Sequence, residues 1–403
     1  MSDLGLGPIW RFIAARALNT FGRAVINTTV LWELYQRTGA KLVLAAVGVM
    51  QVIPVIVLFF PAGAITDRFD RRRTATLAAL GMGAVGMGLA IASLVHAPVW
   101  VYLALLLFQG SVVAIHSPST SALLANIGPR RLLPRANRAL SSLSETAQIT
   151  APACAGLALL AIAPHFVYAA VALTASTSAS LYRSLPVQAR IPTKVTGDWR
   201  VGLRFIFNSP LLLPALTLDM FAILFAGVVA LLPVIASDLL HVDSFGYGIL
   251  RASQPCGAVA MAIIGGRIPG WRRPGRVLLV VVALYGIATI GIGLSRWLPL
   301  TCLLLFACGG LDNISVVIRL TLEQLVVPDA IRGRVAAVHN VFIGMSNELG
   351  AAESGVAAHL FGTMIAITGG GAVAIVVALF VAIKWPALAR MPPLAELRAP
   401  DDS

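Results

Sequence analysis

The sequence predicts an all-α polytopic membrane protein, with twelve transmembrane helices in two pseudo-symmetric six-helix bundles. Three observations predict it. Of the 403 residues 58% are hydrophobic and only 12% charged, and the mean hydropathy is +0.87, whereas a soluble domain carries about 25% charge. Apolar stretches of ~20 residues, each long enough to cross a bilayer as a helix, follow one another with short polar breaks. The basic residues gather in every second break, the distribution expected of a chain whose loops alternate between two sides.

In chain order, the first half reads as spans at 10–35, 42–65, 74–95, 99–119, 138–162 and 165–184. The first span carries Arg16 and Arg23, and Met1 to Pro8 lacks a basic leader, so this span is expected to be retained rather than cleaved as a signal peptide. The second runs into a Gly-to-Arg segment, Gly63 to Arg73. The third and sixth hold no charge in their central portions, and the fifth is interrupted by Glu145 and Pro152. A polar stretch from Pro186 to Pro210 reads as a linker. It divides an N-terminal bundle, 1–185, from a C-terminal bundle and short tail, 211–403, with 186–210 between them.

The second half repeats the scheme at 211–235, 245–267, 275–295, 298–321, 335–359 and 363–385. Asp219 lies in the seventh span, Asp312 and Arg319 in the tenth, and Glu348 and Glu353 in the eleventh; the ninth and twelfth are uncharged at their centres. A second Gly-to-Arg segment, Gly265 to Arg276, opens 202 residues after Gly63, as an internal duplication would place it. Twenty-three of the 30 Lys and Arg residues fall on one side of this layout, while the other keeps Arg37, Lys41 and Arg296. That asymmetry places both termini and the linker in the cytoplasm.

Charge at mid-membrane is expensive, at least ~2.5 kcal/mol per residue, and so faces a cavity or a partner. In the first span Arg16, Asn19, Thr20, Arg23 and Asn27 recur at helical spacing and share one face. Asp312, Ser315, Arg319 and Glu323 do the same in the tenth. Two polar stripes on corresponding spans are expected to line a central pathway together with Asp219; the alternative is that these charges pair structurally. A carboxylate carries protons near neutral pH only where its neutral form is favoured by desolvation. Glu353, with no basic residue within two turns of its own helix, is the first candidate for proton coupling; Glu348 and Asp312 are alternatives, and Glu145, near Arg138, a weaker one.

The segment Gly63-Ala64-Ile65-Thr66-Asp67-Arg68-Phe69-Asp70-Arg71-Arg72-Arg73 resembles the signature loop of the major facilitator superfamily. Asp70 stands where the family carries a second glycine, which leaves a tight turn there in question. The resemblance implies the major facilitator fold, a cavity lined by spans one, four, seven and ten, and a conformational latch made by Gly63, Asp67, Arg68, Arg71 and Arg72. The stretch Ala151 to Gly156 is similar to the antiporter element of the superfamily, with Pro152 and Gly156 as its matching positions; an ordinary proline kink is the competing reading. The stretches Leu325 to Val335, Tyr247 to Leu250 and Ser346 to Gly350 resemble the branch that holds the enterobactin (siderophore) exporter and the macrolide efflux proteins. That resemblance implies efflux of siderophore or drug-like molecules from the cell across the inner membrane, coupled to protons; import of a metabolite is the alternative.

Other classes fit poorly. The net charge of +13 is juxtamembrane, which argues for lipid contact and against nucleic acid. No Gly-Lys dipeptide exists to build a phosphate-cradling loop, so ATP is not expected to drive the chain directly. The six histidines have no metal-ligand spacing, and no nucleophile set points to a membrane-embedded enzyme. No cofactor and no metal are expected, and the working unit is expected to be a monomer. The four cysteines all lie in apolar stretches and are expected to be buried thiols.

Overall fold

The computed structural model describes residues 6–68, 70–127, 132–186, 199–265, 271–328 and 331–397. Six long helices form the first half: α1 (Leu6–Thr38), α2 (Lys41–Arg68), α3 (Arg71–Leu94), α4 (Val99–Ile127), α5 (Leu133–Ala161) and α6 (Pro164–Arg183). A short amphipathic helix, α7 (Trp199–Asn208), falls within 186–210 and lies against the start of a later helix. The seventh span is α8 (Leu212–Ala226), a 3-10 turn (Val228–Leu231), α9 (Leu232–Val234) and a π turn (Ile235–Leu239). There follow α10 (Ser244–Gly265), α11 (Pro274–Leu294), α12 (Leu298–Val326), α13 (Arg332–Phe361), α14 (Thr363–Lys384) and the short α15 (Pro386–Ala389). Among the described residues, seven of these segments are long and apolar enough to cross a bilayer by composition alone. The other long helices are α1, α5, α6, α10 and α13.

Local chemistry sets the boundaries. Prolines stand in the first turn of α5, α6, α11 and α12, where their missing N–H has no intrahelical partner to lose. Gly39, at φ +61°, turns α1 into α2, and Gly362, at φ +86°, separates α13 from α14. Asp70 answers the question its position raised: its backbone is extended, and its carboxylate accepts the Arg73 N–H at 3.0 Å, capping α3. A side-chain cap starts the third helix where the family uses glycine. In the seventh span α8 stops at Gly227, whose ψ of 90° leaves the helical region. Pro233 then removes another backbone donor, and the chain continues as a loosened helix to Leu239.

The described chain divides into two compact units, one made of Met1–Lys194 with His241–Ala252, the other of Val195–Leu240 with Ser253–Ser403. Within the first, α1 packs on α5 and α6, and α3 on α4 and α6; within the second, α8 packs on α13 and α14, and α11 on α12 and α14. These are corresponding pairs, so the repeat in sequence is a repeat in packing. Small residues ease the matched crossings: a Cβ on Gly86 of α3 would press tightly on Ala172 and Tyr168 of α6, and Gly286 of α11 leaves no room for one against Gly371 of α14. The outer faces are apolar. Leu77, Leu80, Met87, Ile91 and Leu94 run along α3 at helical spacing and stay exposed, as do Val280, Leu284, Ile287 and Leu294 on α11. Such a surface is stable only against lipid.

One expectation needs correction. Cys308 is buried, but Cys154 is exposed and Cys256 and Cys302 are half-buried; all four are free thiols. An apolar stretch in a membrane helix can face lipid as well as protein, so apolar flanks did not imply an interior position.

Candidate functional site

In the first unit the stripe of α1 meets α4 and α6. Arg16 donates through Nη1 to Thr120 Oγ1 at 2.5 Å. His116 of α4 and Tyr182 of α6 meet edge to face with centroids 5.7 Å apart, and Phe12 also meets Tyr182 edge to face at 6.0 Å. Tyr182 Oη, His116 Nε2, Asn19 Nδ2 and Asn27 Oδ1 are buried without a hydrogen-bond partner among the described residues. Arg23 is exposed. The sequence named Arg16, Asn19, Arg23 and Asn27; it missed His116, Thr120 and Tyr182, because the contacts that unite them span more than sixty residues of chain.

A second network at the far end of α1 was not expected. The Glu33 carboxylate accepts Ser93 Oγ and Tyr102 Oη on Oε1 and Tyr168 Oη on Oε2, each at 2.8 Å. Arg37 lies 3.7 Å from Glu33 Oε1, donates to Tyr102 Oη at 2.8 Å, and reaches the carbonyls of His96 and Ala97 at the end of α3. Glu33 is six residues beyond Asn27, about a third of a turn off the polar stripe, and so points into the bundle of α3, α4 and α6. The one local signal was its spacing of four residues from Arg37.

The signature loop is described in part. Gly63, Asp67 and Arg68 lie in α2, but the surroundings of Gly63 and the side chains of Asp67 and Arg68 fall outside what is described. Arg72 donates to the carbonyls of Arg183 at 3.2 Å and Leu185 at 2.9 Å, satisfying orphan acceptors at the carboxyl end of α6. Arg71 also has a partner. Farther along, the proline-containing stretch of α5 makes a tight crossing with the first turns of α10. A Cβ on Gly156 would lie 2.6 Å from Ser244 O and 2.8 Å from Gly248 Cα, and one on Gly248 would lie 2.9 Å from Pro152 O. Next to this crossing Tyr247 stacks on Trp32 with centroids 5.0 Å apart and donates to Thr28 O at 3.2 Å.

In the second unit Asp219 of α8 and Arg319 of α12 form an ion pair, 6% and 3% exposed. Arg319 Nε also donates to Ser315 O at 3.2 Å. Asp312 stands two turns before Arg319 on the same face of α12, beside a small cavity shared with Asp219, Tyr285 and Ser315 that has room for a water-sized molecule. A turn beyond Arg319, Glu323 pairs with Nδ1 of His339 on α13, and both are buried. The tenth-span stripe therefore pairs inside its own unit to a large extent, which the sequence kept open as an alternative; His339 was read only as a scattered histidine.

Glu353 is half-buried, and no ion pair engages it among the described residues. Ser354 links it to the break in the seventh span: its Oγ lies 3.4 Å from Glu353 Oε2 and donates to Gly227 O at 3.1 Å. Gly350, one turn earlier on α13, leaves no room for a Cβ against Ile223 O and Leu224 O of α8. Glu348 is half-buried and engaged by a neighbour.

Two bundles of repeated helix pairing, lipid-facing outside and charged within, define a membrane transporter of the major facilitator fold. The chain belongs to the transmembrane secretion effector family of that superfamily, whose model matches residues 7–400. It is similar to the macrolide efflux protein A of Streptococcus pyogenes, 23% identical over 76% of this chain and 77% of that one. It is also similar to the enterobactin exporter of Shigella flexneri, 25% identical over 86% of this chain and 82% of that one. Among solved structures, an inward-facing bacterial homologue of the human lysosomal transporter Spinster superposes with a TM-score of 0.75 at 15% identity, covering 99% of this chain and all (100%) of that one. The D-xylose-proton symporter gives 0.72 at 14% identity over 93% and 96%. These structural likenesses speak for the fold.

Proposed function

We propose that this protein exports small siderophore- or drug-like organic molecules across the cell inner membrane by alternating access, driven by protons moving inward. Its two relatives in efflux support the direction, and the polar face of α1 supports a route for cargo through Arg16, Asn19, Arg23 and Asn27, with Asp219, Asp312 and Arg319 contributing from the other half. In this reading 1–185 and 211–403 are the moving bodies, 186–210 connects them, the termini are cytoplasmic and the monomer is the working unit. Gly63, Asp67, Arg68, Arg71 and Arg72 act as the latch, and Pro152 with Gly156 as the antiporter-like element.

Coupling is assigned to Glu353, with Glu348 and Asp312 next in order. The observation that carries it is the bridge from Glu353 through Ser354 to the carbonyl of Gly227, where the seventh span breaks. A carboxylate one hydroxyl away from a helix break can link its own protonation to the geometry of that break through that hydroxyl. The test is transport into everted vesicles carrying the protein, with a panel of siderophores, macrolides and dyes. Uptake that depends on an inside-acidic gradient is expected; accumulation only in right-side-out cells would overturn the direction.

A further inference from the structure

We propose that the cluster of side chains where α1, α4 and α6 meet is an anion subsite, and that the cargo carries a negatively charged oxygen group such as a carboxylate. The inference deepens the transport reading and rests on it for the word cargo, but the site itself is a feature of the first unit alone.

The charge balance of that unit leads to it. Arg16 and Arg23 put two positive charges on one face of a membrane helix, and His116 adds a nitrogen beside them. The acids whose side chains are described in this unit up to its sixth helix are already engaged: Glu33 by three hydroxyls and Arg37, Asp70 by the first turn of α3. Arg16 satisfies itself on a neutral hydroxyl, Thr120. A guanidinium in a membrane bundle is retained where an anion can reach it, because its planar donor fork matches a carboxylate with two parallel hydrogen bonds.

The second observation is independent of charge. Tyr182 is fully buried, and its hydroxyl lacks a partner among the described residues; Asn19 is 7% exposed, and its Nδ2 donors lack one there too. Buried donors are nearly always satisfied, so two left open, one of them on the helix that carries Arg16, mark a place where an acceptor belongs. Both residues and Arg16 can donate, and the Tyr182, His116 and Phe12 rings supply an apolar wall. A few aimed donors against an apolar wall are the usual makings of a small-molecule subsite. The second unit is built otherwise: Arg319 and His339 already hold carboxylates of their own. The anionic end of the cargo is therefore assigned to the first unit.

Glu145 on α5 is the acid that could compete for this site, and its side chain lies outside the described residues. The experiment therefore includes it. Equilibrium binding of 1-naphthoate and its neutral isostere 1-naphthamide would be measured on the purified full-length protein in detergent. Naphthoate is expected to bind at least ~10-fold more tightly than the amide, since a hydrogen bond to a charged group is worth ~1.5–3 kcal/mol. Arg16→Gln should erase that preference, Tyr182→Phe should weaken it while keeping the ring, and Glu145→Gln should preserve or strengthen it. No preference in the native protein, including the absence of binding by either probe, would overturn the subsite. So would a preference unaltered in both Arg16→Gln and Tyr182→Phe, or one abolished by Glu145→Gln. Binding needs no gradient and no direction, so a failure of export in vesicles with the preference intact would fall on the transport reading alone.

Discussion

At the scale of single residues, several buried charges are engaged in networks whose loss should cost stability. Glu33 is one of them. Replacing it with alanine strands the hydroxyls of Ser93, Tyr102 and Tyr168, and each buried donor left without an acceptor costs about 1–3 kcal/mol. We expect Glu33→Ala to lower the thermal unfolding midpoint of the purified protein by several degrees or more, and Glu33→Gln, which still accepts, to lower it less. Equal midpoints for Glu33→Ala and the native protein would show that the network contributes nothing. The Asp219–Arg319 pair is expected to behave in the same way. Removing one partner leaves a buried charge, a loss of ~3–5 kcal/mol, whereas removing both leaves none. Asp219→Asn with Arg319→Met should therefore unfold at a higher temperature than Asp219→Asn alone; a double variant less stable than either single one would contradict that account.

At the scale of elements, close crossings do what side-chain contacts cannot. Gly156 and Gly248 bring α5 and α10 together backbone to backbone. Gly156→Leu is expected to force that crossing apart and to reduce transport at least ~10-fold while the protein still inserts, whereas Cys154→Leu, on the exposed side of the same helix, should leave transport near native; equal rates for the two variants would remove the crossing from the mechanism. The contrast also shows what sequence could reveal. Helix spans, the repeat and the polar face of α1 were legible because apolar runs and a 3.6-residue period are local signals. Asp70 was not, since a cap is recognised by the φ and ψ of its own backbone; nor was the break at Gly227, which sits inside an unbroken apolar run. The partners of Glu33, Glu323 and Tyr182 were invisible for a plainer reason. They come from other helices, and only packing brings them together.

At the scale of the whole molecule, the account makes two demands. The first is topology: reporters fused after Ser403 and within 186–210 should both read cytoplasmic, on the strength of the basic asymmetry, and a periplasmic signal from either would reverse the orientation. The second is the link between protons and cargo, on which the proposed function stands. The most direct measurement is substrate accumulation in proteoliposomes under an imposed pH difference, native protein against Glu353→Gln. Glutamine imitates the protonated acid at the bridge to Gly227, so the variant should bind cargo and exchange it downhill yet fail to concentrate it. If Glu353→Gln concentrates cargo as well as the native protein does, protons are not coupled through that bridge, and the assignment of Glu353 is wrong.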